Sequence, residues 1–102
     1  MDIVITDAEG NVVATANVEE EGEYYKGSVN LDQMPSNILT KWEEYEDLVN
    51  DLVLSLLDEI EEKIQLDLWQ VFLKDGTKLN MRICVIFPTV KVISLKKFST
   101  FA

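Results

Sequence analysis

The chain predicts an α+β fold in which a single antiparallel sheet, in ββ(β)αβββ order, packs on one long amphipathic helix. Three observations carry this reading. Apolar residues alternate with polar ones in the first and last thirds of the chain. Between Ile38 and Ile64 they recur instead at steps of one, three or four. Glycine-containing turn signals separate the alternating runs. At 102 residues and 47% hydrophobic content, the chain reads as a single domain, 1–102, able to bury roughly two thirds of its unfolded surface without disulfides or metals.

The elements follow in order. "DIVIT" and "VVATANV" flank "DAEGN", whose Gly10 and Asn11 tolerate positive φ, so Ile3 to Thr6 and Val12 to Val18 read as a hairpin. "EEEGE" interrupts the alternation, and "YYKGSVNL" resumes it as a third strand with Gly27 a candidate bulge. After Pro35 the period lengthens. Thr40 and Glu43 form a capping box, but Ile38 and Leu39 already sit in phase, which favours a start at Ser36. The stripe Ile38, Trp42, Tyr45, Val49, Leu52, Val53, Leu56, Ile60 and Ile64 is expected to be the buried face of one helix. "LDLWQVFL" and "KLNMRICVIF" flank the Asp75-Gly76 turn. In the second of these runs Leu79, Met81, Ile83, Val85 and Phe87 alternate as the face expected under the helix. After Pro88, "TVKVISLKK" supplies the last strand.

The net charge of −10 is unevenly spread. Residues 1–35 carry −7, residues 36–64 carry −7, and residues 65–102 carry +4. Such a chain is a poor partner for nucleic acid, whose affinity rests on neutralising phosphates with Lys and Arg. It suits a basic protein better. The first residues hold no secretory pattern and no apolar run approaches the ~20 residues of a membrane helix, so a cytoplasmic protein without membrane contact is expected. Cys84 is the only cysteine and reads as an inert buried thiol.

The chain has no histidine, which removes the commonest general base and transition-metal ligand. No enzyme, cofactor or metal site is expected. A carboxylate pair is the surviving catalytic route, and Glu46 is the only helical acid whose angle falls inside the apolar stripe, although flanking the stripe and reaching water is the ordinary reading. "EEEGE" lacks the alternating spacing that converges carboxylates on calcium and reads as a solvated loop.

The far side of the helix is more informative. Glu43, Glu44, Asp47, Asp51, Asp58, Glu61 and Glu62 project opposite the stripe, with like charges repeated at i, i+4 and acids in the last turn, against both helix-surface and dipole preferences. Solubility explains such a face, yet repeated breaches of a local rule on one surface are also where function is expected. Leu54 projects among these acids as an apolar anchor within a charged rim, and Leu48 flanks the stripe. The expectation is therefore a small acidic binding module, of inhibitor or immunity type, that occludes a basic protein through Glu43, Asp47, Asp51, Leu54, Asp58, Glu61 and Glu62. A structural homodimer and a carboxylate-dependent enzyme are the competing classes.

Overall fold

The alternating runs of the first third become β1 (Asp2–Thr6), β2 (Val12–Glu21) and β3 (Tyr24–Asn30) in the computed structural model, which describes residues 1–97. Gly10, at φ 86°, closes the first turn, where the Asp7 carboxylate accepts the amides of Glu9 and Asn11, each at 3.0 Å. Gly27 is not a bulge. It sits in regular register between Val18 and Ile93, and a Cβ there would lie 1.9 Å from the Asn17 carbonyl oxygen, so only glycine lets β3 approach β2 this closely.

Helix α1 (Ser36–Asn50) starts at Ser36, as the phase of Ile38 and Leu39 indicates. The Thr40 hydroxyl donates to the Ser36 carbonyl at 2.8 Å inside the helix, so Thr40 is not a cap. Trp42 and Tyr45 are buried, as expected of the stripe.

The single long helix does not form. At Leu52 the backbone takes φ 60°, and the amides of Leu52 and Val53 turn back to the carbonyls of Val49 (3.1 Å) and Leu48 (2.9 Å). This is the Schellman closure of a helix, with leucine at the left-handed position where glycine is usual. A 3₁₀ turn (Leu54–Leu56), the short helix α2 (Leu57–Lys63) and a second 3₁₀ turn (Leu66–Leu68) follow. The physical reason lies in the sequence "VNDLVLSLL". At the helical period its apolar residues spread over about 200° of the circumference, wider than one stripe, while Asn50 and Asp51 are weak helix formers. Stopping at Leu52 lets α2 take its own direction, and Ile60 and Ile64 return to the core. Leu52, Val53 and Leu56, expected inside, are instead exposed.

Four strands follow the helices where three were expected: β4 (Gln70–Leu73), β5 (Lys78–Leu79), β6 (Met81–Phe87) and β7 (Val92–Lys97). The antiparallel sheet runs β5-β4-β1-β2-β3-β7-β6. It curls until β4 approaches β6, so the run read as one strand from Lys78 to Phe87 divides at Asn80 and serves both ends of the sheet. The register of β6 slips between Ile83 and Val85. That slip reverses the alternation, so Ile83 and Ile86 are buried while Val85 and Phe87, expected under the helix, are half-buried.

The core gathers around Trp42, which packs against Tyr45 (ring centroids 5.2 Å apart) and Trp69 (6.1 Å) between the helices and the strand side chains Ile3, Ile5, Val13, Val71, Ile86 and Ile93. Trp69 donates its indole N–H to the Ile64 carbonyl at 2.9 Å. Trp42 Nε1 is buried with no partner among the described residues. No helix among the described residues is long and apolar enough to cross a membrane.

Leu52 tests the helix closure directly. A side chain that is 78% exposed contributes little packing, whereas a left-handed leucine costs about 1–2 kcal/mol and glycine gives back about 0.5–1 of that in chain entropy. Leu52→Gly is therefore expected to raise stability by up to about 1 kcal/mol in urea denaturation, and Leu52→Val to lower it. A loss of stability with glycine would mean that the segment is a continuous helix.

Candidate functional site

The break in the helix exposes Leu52, Val53 and Leu56, which an unbroken helix would hide, and adds them to Leu54. Leu52 (78% exposed), Val53 (39%), Leu54 (56%) and Leu56 (41%) form a short apolar knuckle interrupted only by Ser55. Contiguous apolar exposure of this kind differs from a scattered surface leucine, because the whole segment stays wet until something covers it. Asp47 and Asp51 precede the knuckle, Asp58 and Glu59 follow it, and all four are exposed.

The structure places the expected residues on three separate pieces of backbone. Glu43 and Asp47 lie exposed on α1, Asp51 is its C-terminal cap, Leu54 opens the 3₁₀ turn, and Asp58, Glu61 and Glu62 lie on α2. They do not form one helical face. Asp58, Glu61 and Glu62 are brought together with Gln65, Leu66, Asp67, Leu68 and Arg82 around a cleft of about 500 Å³.

Arg82, the only arginine of the chain, reaches this cleft from β6. Its Nη2 lies 3.2 Å from Asp67 Oδ1 and 3.6 Å from Glu61 Oε1. Glu61 is half-buried, and its carboxyl is raised above the usual range, chiefly by burial and further by Asp58 and Asp67, with Arg82 pulling the other way. The same neighbourhood raises the Tyr45 phenol, first through burial and then through Glu61. Burial also raises the Cys84 thiol, which is half-buried at the register slip of β6 rather than sealed in the core.

Glu46 is the largest departure from the sequence reading. Expected to reach water, it is 7% exposed, and its Oε1 accepts the Thr89 amide from the β6–β7 turn at 3.2 Å. That turn is anchored by Glu46 to the last turns of α1. Its angle inside the apolar stripe was the available signal; the approach of Thr89 from 43 residues away was not readable locally. The knuckle had a signal too, since six apolar residues between Val49 and Leu57 exceed what one stripe can hold. The acidic run "EEEGE" ends β2 and turns into β3, with Glu20 paired to Lys97 and bonded by the Tyr25 hydroxyl.

No protein-family model, curated protein or solved structure matches this chain.

The raised carboxyl of Glu61 gives a signed expectation for pH. A carboxyl that holds its proton more tightly when folded favours folding while protonated, so its contribution is full in acid, below the ordinary carboxylate range, and is lost as the pH rises through the raised value. At neutral pH Glu61→Gln should therefore stabilise the chain by ~0.2–0.5 kcal/mol, the size of one relieved like-charge helix pair. The gain should shrink on acidification in parallel chemical denaturations. A destabilised Glu61→Gln at neutral pH would show that the Arg82 pair outweighs burial and like-charge repulsion.

Proposed function

We propose that this chain is a protein-binding module of inhibitor or immunity type, which docks its apolar knuckle on a basic protein and occludes it. The observation that carries the reading is the knuckle itself: Leu52, Val53, Leu54 and Leu56 stand in solvent, bordered by Asp47, Asp51, Asp58 and Glu59. Apolar anchors at the centre supply affinity once desolvated, and the charged rim excludes partners of the wrong sign. Charge chooses the class of partner, because the acidic surface draws a basic protein and repels nucleic acid and acidic proteins.

Geometry divides the labour within this surface. Glu43, Asp51, Asp58 and Glu62 are exposed and act at a distance, through steering that salt screens over about 8–10 Å at physiological ionic strength, while the exposed Asp47 lies closer to the contact. Leu54 acts on contact. Glu61, tied to Arg82, is the least available of the expected acids.

The reading is tested by capturing the partner from the native host and measuring its kinetics with variants. Reversal of Glu43 and Glu62 to lysine should slow association and flatten its salt dependence while changing dissociation little. Leu54→Asp should raise the dissociation rate, because it replaces an apolar anchor with a charge that must be desolvated. Unchanged affinity in both variants would remove this surface from the interface. A chain that is dimeric by light scattering and becomes monomeric with Leu54→Asp would assign the knuckle to a second copy.

A further inference from the structure

Between the last turn of α1 and the β6–β7 turn lies a groove of about 270 Å³ lined by Glu46, Asp47, Asn50, Phe87, Thr89 and Val90. The geometry points to this groove as the subsite for one arginine side chain of the basic partner, with Glu46 as its counter-charge. The inference rests on the reading of a basic partner given above and adds where, and through which group, that partner is recognised.

Four observations converge on this chemistry. First, Glu46 is a carboxylate more than nine-tenths buried that makes no ion pair among the described residues. Buried carboxylates ordinarily have such a partner. Second, only one of its oxygens is occupied, by the Thr89 amide. The one fully buried side-chain polar atom left unsatisfied among the described residues is Trp42 Nε1, so the second Glu46 oxygen keeps contact with solvent, on a residue that lines the groove. Third, the side chains at the rim supply acceptors: Asp47 contributes a carboxylate and Asn50 an amide oxygen. Fourth, the walls are the half-buried Phe87 and the 63% exposed Val90, which suit an aliphatic stem and a planar cation lying on an aromatic ring.

Arginine satisfies these features together. Its guanidinium presents several donors in a plane to convergent acceptors, stacks on aromatic faces, and is less strongly hydrated than an ammonium. Asn50, on the groove's lining, precedes Leu52 by two residues in the chain, so a partner segment carrying an arginine next to apolar residues is the expected ligand of both. A fixed carboxylate with one lone oxygen is also ready for its ligand, since Thr89 already sets its orientation.

The test uses the full chain and two probes, acetyl-Leu-Arg-Leu-amide and the same peptide with citrulline, which keeps the shape and removes the charge. Amide shifts in nuclear magnetic resonance titrations report separately on the groove, through Thr89 and Val90, and on the knuckle, through Leu54. The arginine peptide is expected to shift both sets saturably, and to bind about tenfold more tightly than the citrulline peptide. Glu46→Gln, which retains an oxygen for the Thr89 amide, should keep the folded spectrum and abolish that preference. Equal binding of the two peptides, arginine binding unchanged in Glu46→Gln, or shifts at α2 in place of Thr89 would overturn the subsite. Shifts at Leu54 alone would leave the knuckle reading standing, and no response at either place would remove both.

Discussion

At Leu52 the chain accepts a left-handed backbone in a residue that disfavours it, and the rest of the architecture depends on that reversal. The amides of Leu52 and Val53 satisfy carbonyls that a helix end would otherwise leave open, which offsets part of the strain. Because α1 stops there, α2 points its own way and returns Ile60 and Ile64 to the core beside Trp42 and Trp69. The same reversal delivers Leu52, Val53 and Leu56 to water and adds them to Leu54. A fold selected only for stability would place glycine at such a position and polar residues after it. The proposed partner surface would account for leucine at Leu52 and for the apolar run that follows.

Glu46 is the second point at which stability yields. An acid within the last two turns of a helix opposes the helix dipole, and burial adds to its cost. One amide hydrogen bond across the molecule is its compensation. Local rules broken at the knuckle and at Glu46, six residues apart in the chain at Leu52, are what the proposed single site would account for. Elsewhere the acids are arranged conservatively: Asp2 is paired with Lys74 and Glu20 with Lys97, and each carboxyl is held below its usual range by its hydrogen bonds and cations.

Much of this fold is legible in residue order, and its limits are physical. Alternation located β1, β2 and β3, and the change of period placed the start of α1 at Ser36, because both depend on local side-chain direction. The break at Leu52 escaped a stripe reading because that reading accepts any apolar residue within reach of one face, and most of those in "VNDLVLSLL" lie within reach of it. The division at Asn80 and the slip before Val85 escaped because they arise when a sheet curls far enough for one run to serve both of its ends, a property of the whole sheet. Of the candidate surface, Leu54 and the exposed acids were visible as violations of helix preference. Glu46 was visible only as an oddly phased acid, and its environment is made by Thr89 and Phe87, far along the chain.

The exposure of the knuckle is the central claim, and methyl-resolved nuclear magnetic resonance with a soluble paramagnetic agent measures it most directly. If the helix closes at Leu52, the methyl signals of Leu52, Leu54 and Leu56 broaden strongly, while those of Ile60, Ile64 and Ile86 are protected. Protection of Leu52 and Leu56 to the level of Ile60, with only Leu54 broadened, would contradict it. That pattern belongs to one unbroken helix lying on its sheet, with no knuckle to offer a partner.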